Sequence, residues 1–277
     1  MSDATAPPPS RSSAARFTGE RLHADGELFR ADLARHRAAY RFAIPHCDGG
    51  RVLDLGCGSG YGAAELAEAA RLVVGIDRIS PDAASRRDTT RYVRADIERP
   101  PLTAAAFDLV VSFQVIEHLA DPTAYLAGIG RLLHPDGLAL LTTPNRLTSD
   151  GENPFHVHEY TADELRECLC GHFREVEMRG VGASAAAADY LEERRRRIRR
   201  IVRLDPLQLR RRLPQPLVEW LFGRFALWIR RGIRSSDGLP EIAVCDFPIG
   251  PADPACVDLL AICRGPLTCR PRDELRE

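Results

Sequence analysis

The residues best suited to chemistry gather in one stretch, Arg51-Val-Leu-Asp-Leu-Gly-Cys-Gly-Ser-Gly-Tyr-Gly62, where an apolar run meets a carboxylate and then breaks into glycines. Val52, Leu53 and Leu55 read as a short strand buried on both faces, the pattern of a parallel sheet. Gly56, Gly58, Gly60 and Gly62 remove side chains where the backbone must turn sharply, so a ligand can lie against it beside the amides of a helix N-terminus. The spacing departs from a dinucleotide fingerprint, because Tyr61 falls where the third glycine of G-x-G-x-x-G belongs. Asp54 would repel a diphosphate and suits a cation, such as an ammonium or a sulfonium. Two more acids close predicted strands, Asp77 after 72–76 and Asp96 after 91–95. An acid about twenty residues past such a loop can accept both hydroxyls of a ribose, and Asp77 fits that role.

At this point the run from Val52 to Gly60 resembles the first motif of class I S-adenosylmethionine (SAM) dependent methyltransferases, V-L-D-L-G-C-G-x-G, and matches it completely. The stretch from Phe107 to Asn145 is similar to the same family's pattern F-D-x-V-x-x-x-x-V-x-E-H-L-x-D-P, then R-x-L-x-P-x-G, then T-P-N. The resemblance covers roughly residues 17 to 182 and implies SAM as cofactor. It assigns Asp54, Gly56, Cys57 and Gly58 to the methionine pocket, Asp77 to the ribose, and Asp96 with Ile97 to the adenine. Phe113 and Gln114 would floor the pocket, and Tyr40 and Arg78 join the cofactor-binding set.

Methyl transfer to an oxygen is an in-line displacement, so the acceptor must be aligned and must lose a proton. His118, just after the fourth strand, and His156 and His158, in the loop after the fifth, are the candidate catalytic residues, since histidine titrates near neutrality. His118 ranks first as base; its alternative role is to hydrogen-bond a neighbouring loop and hold the helix start. His156 and His158 alternate, which would put them on one face of an extended segment and suits contact with substrate. Some oxygen methyltransferases of similar fold, sugar-modifying ones included, use a divalent cation. Related sequences commonly carry Glu at the position of Gln114, so a ligand set around Glu117 and His118 lacks a member, and no metal is assigned.

The segments Phe17-Thr-Gly-Glu-Arg21, His36 to Ala43, Asn153-Pro-Phe-His156 and Glu159-Tyr160 resemble methyltransferases found beside glycosyltransferases, which act on glycan or saccharide hydroxyls. Ala39 stands before Tyr40 where that family usually has Arg. The expected acceptor is therefore a saccharide hydroxyl. The chain contains no lysine, a composition of high-GC bacteria, and one specific expectation is the oligosaccharide of a redox cofactor such as mycofactocin. The rival classes are a small-molecule enzyme acting on a quinone, phenol or polyketide, and a non-catalytic SAM-fold protein binding partners through a basic insertion.

To position these residues the chain needs a doubly wound, Rossmann-like α/β fold with a seven-stranded, mainly parallel sheet. The 277 residues, 44% apolar, suffice for one large domain. Residues 1–15 read as a disordered tail, 16–182 as the SAM-binding core with helices from Phe17 to Ile44, 183–239 as a basic helical cap, and 240–277 as the last strand and tail. Helices are expected at Ala63–Ala70, after Ser80-Pro81, at Thr123–Leu133, and from a Thr161 cap to Cys170. The fifth strand should run from Leu138 to Thr143, the sixth from Phe173 to Val181, and the last from Val257 to Cys263, antiparallel between them.

Net charge is −1, yet fourteen arginines between Arg194 and Arg234 face only Asp205 and Glu219. Helices at Tyr190–Leu204 and Leu213–Ile233 would form a lid that recognises an anionic or lipid-linked glycan, a peripheral membrane contact, or a solvated face; nucleic acid is not expected, because stacking aromatics do not interleave with the arginines. None of the eight cysteines makes a C-x-x-C pair, which argues for free thiols in a reducing cytoplasm and against zinc. No signal peptide and no stretch of about 18 apolar residues is found.

Overall fold

The computed structural model describes residues 30–151, 153, 155–202 and 241–267. The order is α1 (Arg30–Ala43), β1 (Arg51–Leu55), α2 (Tyr61–Leu66), β2 (Leu72–Asp77), β3 (Thr90–Arg94), β4 (Phe107–Phe113), α3 (Thr123–Leu132), β5 (Leu133–Pro144), α4 (Ala162–Cys170), β6 (Phe173–Val181), α5 (Ala185–Val202), β7 (Ile249–Pro251) and β8 (Asp258–Pro266). The strands form one sheet in the order β3-β2-β1-β4-β5-β8-β6-β7. The pairs from β3 through β5 are parallel, and β8 runs antiparallel between β5 and β6. The seven expected strands are all present. The short β7 adds an eighth at the edge, paired to β6 from Arg179 to Val181.

Both faces of the sheet are covered, which is why β1 and β4 read as continuous apolar runs. One core lies under α3 and α4, where Tyr125, Leu126 and Ile129 meet Leu165 and Leu169. The other lies under α1 and α2, where Leu33, Tyr40 and Ala43 meet Tyr61 and Leu66. Thr161 caps α4 through a capping box: its side chain accepts from the Glu164 amide while the Glu164 carboxylate accepts from the Thr161 amide.

Several expectations change. No α-helix follows Ser80-Pro81; Ala83–Ser85 make a single 3-10 turn, because Arg86, at the turn's end, returns to extended backbone and the chain turns again at Arg87–Thr90 before β3. Helix α2 ends at Leu66, short of Ala70. Strand β5 begins five residues early, at Leu133: Phe107 pairs with Leu133 and Leu109 with Leu138, so His134-Pro-Asp-Gly137 bulges out of the ladder. The arginine-rich helix begins at Ala185 and packs on α1 through Ala34, Ala38, Ala187 and Leu191. The tail 1–15, the segment from Phe17 to Phe29 and the helix expected at Leu213–Ile233 lie outside the described residues. Cysteines 47, 57, 168, 170, 245, 256 and 263 are free thiols; Cys269 lies outside. Among the described residues no helix is long and apolar enough to cross a membrane.

Candidate active site

In an open parallel sheet the ligand crevice lies outside the carboxyl ends of the strands. Asp54, next to last in β1, sits there fully buried. The Tyr40 hydroxyl of α1 lies 3.3 Å from both of its carboxylate oxygens. Burial raises the Asp54 pKa to about 7, the Tyr40 hydrogen bond opposes that shift, and neighbouring Asp77 adds to it. Tyr40 is wedged edge-on between Phe113, 4.9 Å away, and Tyr61, 5.7 Å away. Gly62 admits that ring, since a Cβ there would overlap it.

The glycine loop is shaped by left-handed backbone at Gly56 (φ 90), Gly58 (φ 52) and Gly60 (φ 84). The amides of Gly56 and Cys57 donate to the Ile76 carbonyl at 2.8 and 3.1 Å, pinning the loop to β2. A Cβ on Gly56 would strike Val115, whereas one on Gly58 would meet nothing within 4 Å, so open space lies over Gly58. Asp77 borders that space: its Oδ2 accepts from the Gly58 amide at 2.9 Å and its Oδ1 from the Ile79 amide at 3.1 Å. Each oxygen keeps a lone pair for a further donor. Asp96 is exposed, accepts from the Glu98 amide at 3.0 Å and lies 3.4 Å from Arg78. Its pKa is lowered, chiefly by the Glu98 amide. Ile97 packs against the core beside it. The Cys57 thiol is buried and its pKa pushed far up by that burial.

The second half of the site is built after β4. Phe113 is buried, and Gln114 takes a left-handed turn (φ 57) with its amide donating to the Thr142 carbonyl at 2.9 Å. A 3-10 turn, Ile116–His118, follows. Glu117 is fully buried. Its Oε2 accepts from Thr143 at 3.0 Å, while Oε1 has no hydrogen bond. The Glu117 carbonyl accepts from the amides of Val157 and His158 at 2.8 and 3.1 Å, which docks the loop after β5 onto the turn. Burial raises the Glu117 pKa, and His118 and His156 pull it back.

His118 Nδ1 lies 3.0 Å from the Phe155 carbonyl. A carbonyl can only accept, so Nδ1 carries the proton and Nε2 the lone pair. His156 Nδ1 lies 2.6 Å from Glu159 and its Nε2 lies 2.8 Å from the Asn153 amide nitrogen, which gives it the same tautomer. The two rings meet edge-on at 5.2 Å. One ligand-type atom from each of Glu117, His118 and His156 lies within 4.8 Å of the others.

His158 is not brought into this cluster. The chain bends at Val157, and the successive amides of Val157 and His158 both donate to the Glu117 carbonyl, so residues 156 and 158 do not share an extended face. His158 is exposed and packs edge-on against Tyr160 at 4.4 Å. Sequence reasoning missed Glu159, which orients His156, although an acid three residues past a histidine in a polar loop was a usable signal. Arg35 of α1 and Asp258 of β8, more than 200 residues apart in the chain, form an ion pair at 3.3 Å that no local pattern marks.

The model of a family described as a methyltransferase domain matches residues 27–179. A probable SAM-dependent methyltransferase of Mycobacterium tuberculosis is 37% identical over 198 residues, 64% of this chain and 72% of that one. A ubiquinone biosynthesis O-methyltransferase of Dinoroseobacter shibae is 37% identical over 103 residues, 35% of this chain and 42% of that one. Among solved structures, a SAM-dependent methyltransferase of Thermotoga maritima superposes with a TM-score of 0.52 at 14% identity, covering 85% of this chain and 93% of that one, a likeness of fold. With the match spanning both the glycine loop and the Glu117-His118 turn, this chain belongs to the methyltransferase-domain family and is a class I enzyme that uses SAM.

Proposed function

We propose that the enzyme methylates a hydroxyl, that of a saccharide. The observation that carries the reading is His118, which the Phe155 carbonyl fixes with Nε2 as its basic atom beside buried Glu117. The donor set suits the cofactor: a buried carboxyl at Asp54 that a cationic amino-acid end would favour in its ionised form, spare acceptor capacity at Asp77 for ribose hydroxyls, and open space over Gly58. Asp96 and Ile97 would flank the adenine, with Arg78 paired to Asp96 at the rim, and Phe113 and Gln114 would floor the pocket. SAM supplies a methyl carried on a sulfonium, open to displacement by an oxygen in line. His118 Nε2 takes the hydroxyl proton, and Glu117 stabilises the resulting imidazolium. Glu159 and Asn153 hold His156 beside it to orient the acceptor.

A second reading rests on the cluster of Glu117, His118 and His156. Both histidines donate Nδ1–H to a fixed acceptor, as metal-ligating imidazoles typically do, and Glu117 Oε1 has no hydrogen bond; His156 Nε2 would have to exchange its hydrogen bond from Asn153 for the cation. A divalent cation there would acidify the acceptor hydroxyl in place of a base. Equilibration with Mn²⁺ or Zn²⁺ after chelation, with metal content measured on wild type and Glu117→Gln, tests it; one metal per chain lost in the variant supports the cation.

The decisive experiment offers methyl-labelled SAM with methyl glycosides and short oligosaccharides in parallel with catechols and quinols. Label on a glycoside hydroxyl, lost in His118→Asn, supports the reading. Label on catechols alone would replace it with O-methylation of a small aromatic acceptor, in keeping with the ubiquinone biosynthesis O-methyltransferase of Dinoroseobacter.

A further inference from the structure

Thr143 Oγ1 donates to Glu117 Oε2 at 3.0 Å, and both residues are fully buried. The other oxygen, Oε1, has no hydrogen bond. A carboxylate oxygen of Glu117 lies within 4.8 Å of a ring nitrogen on each of His118 and His156, so the direction in which this carboxyl points decides what both rings meet.

Nothing in glutamate itself sets that direction. Its terminal torsion is broad and roughly two-fold, and Glu117 stands in a short 3-10 turn, Ile116–His118. Thr143 differs on both counts. A β-branched side chain is stiff at its first torsion, and Thr143 lies in β5 opposite Leu259 of β8, in a strand that β4 borders on its other side. A rigid donor in the sheet thus holds a soft acceptor on the turn, as a precise site requires. The Glu117 carbonyl meanwhile takes the amides of Val157 and His158 from the loop that carries His156. Turn, loop and sheet therefore meet at one residue, and Thr143 anchors its side chain. Valine at 143 would keep the shape and remove the donor, leaving a buried carboxylate short of a hydrogen bond, a costly state that it can leave only by turning or taking up a proton.

We propose that Thr143 is a positioning residue for methyl transfer, its hydroxyl fixing the Glu117 carboxyl against His118 and His156. The inference rests on the reading of Glu117 and His118 as the reacting pair, whether they act as a base or through a cation, and is independent of the acceptor's being a saccharide. The test compares wild type, Thr143→Val, Thr143→Ser and Glu117→Gln as full chains saturated in S-adenosylhomocysteine. NMR of nitrogen-labelled histidine, with ring signals assigned through His118→Asn and His156→Asn, reports the two imidazoles. Turnover is followed with labelled SAM on whichever glycoside or catechol takes the label. The Thr143→Val ring signals should move toward those of Glu117→Gln, and its kcat should fall roughly 10- to 100-fold. Acceptor KM and S-adenosylhomocysteine affinity should change little, and Thr143→Ser, which restores the hydroxyl, should stay with wild type in both readouts.

Ring signals and kcat unchanged in Thr143→Val would overturn the proposal. So would a Thr143→Ser variant as impaired as Thr143→Val, which would assign the effect to shape, or a loss that cofactor affinity shares, which would mark general damage to the fold. Ring signals that move in Thr143→Val while kcat holds would support the positioning of Glu117 and sink the reading of Glu117 and His118 as the reacting pair instead.

Discussion

The Tyr40 hydroxyl lies equidistant, at 3.3 Å, from the two carboxylate oxygens of Asp54. This contact joins α1 to the end of β1 and holds a buried carboxyl at the place proposed above for the cationic end of the cofactor. Its folded pKa of about 7 is far above an ordinary aspartate, so between about pH 4 and 7 the folded chain holds a proton that the unfolded chain has released. Stability therefore falls as pH rises through that window. At pH 8 Asp54→Asn should be more stable than wild type by on the order of a few kcal/mol, and the gain should vanish near pH 4. Thermal melts across pH check this. SAM affinity of the wild type should weaken as pH drops below 7, and the Asp54→Asn variant should bind poorly at any pH.

His36 gives the opposite slope. It is half-buried, its pKa is lowered to about 3, chiefly by desolvation and then by neighbouring Arg35, and it shares a 2.6 Å hydrogen bond with the Tyr61 hydroxyl. Between about pH 3 and 6.5 the unfolded chain binds the proton that the folded chain refuses, so this contribution to stability is complete above 6.5 and is lost on acidification. His36→Gln should flatten the acid limb of the melting profile. A profile unchanged by the substitution would count against a neutral His36 in the folded chain.

Gly62 lies in helix α2, where Ala would normally gain about 1 kcal/mol. Here a Cβ overlaps the Tyr40 ring, which Phe113 and Tyr61 hold in place. Gly62→Ala should cost about 1–3 kcal/mol. Combining it with Tyr40→Ala should be less damaging than the sum of the two single changes, as a denaturation double-mutant cycle would reveal.

His118→Asn should lower kcat by roughly 10²- to 10⁴-fold and leave S-adenosylhomocysteine binding intact. Glu159→Gln should act more weakly, raising the acceptor KM, because it loosens His156 without touching the base. Equal effects of the two variants on kcat would argue against His118 as the base.

The half of the site proposed for the cofactor is legible in the chain because it is local. Asp54, the glycines, Asp77 and Asp96 each follow an apolar run, so strand ends and turn residues mark them without reference to distant sequence. Tyr40 was legible through the resemblance alone, since its place over Asp54 depends on Gly62 being bare. The acceptor half was only partly readable. His118 and His156 are recognisable as types, but their tautomers depend on Phe155 and Glu159, and His158 is turned away by the bend at Val157. Arg35 and Asp258 meet only because β8 inserts beside β5, a tertiary event with no local signature. The helix expected after Ser80-Pro81 failed for the converse reason: cap and proline are present, but no apolar stripe follows to bury.

The most direct test of the account is calorimetric titration of S-adenosylhomocysteine into wild type, Asp77→Ala and Thr143→Val. The account predicts micromolar binding by wild type, a strong loss in Asp77→Ala, and affinity close to wild type in Thr143→Val. Undiminished binding by a folded Asp77→Ala would contradict the assignment of the crevice between the glycine loop and β2 to the cofactor.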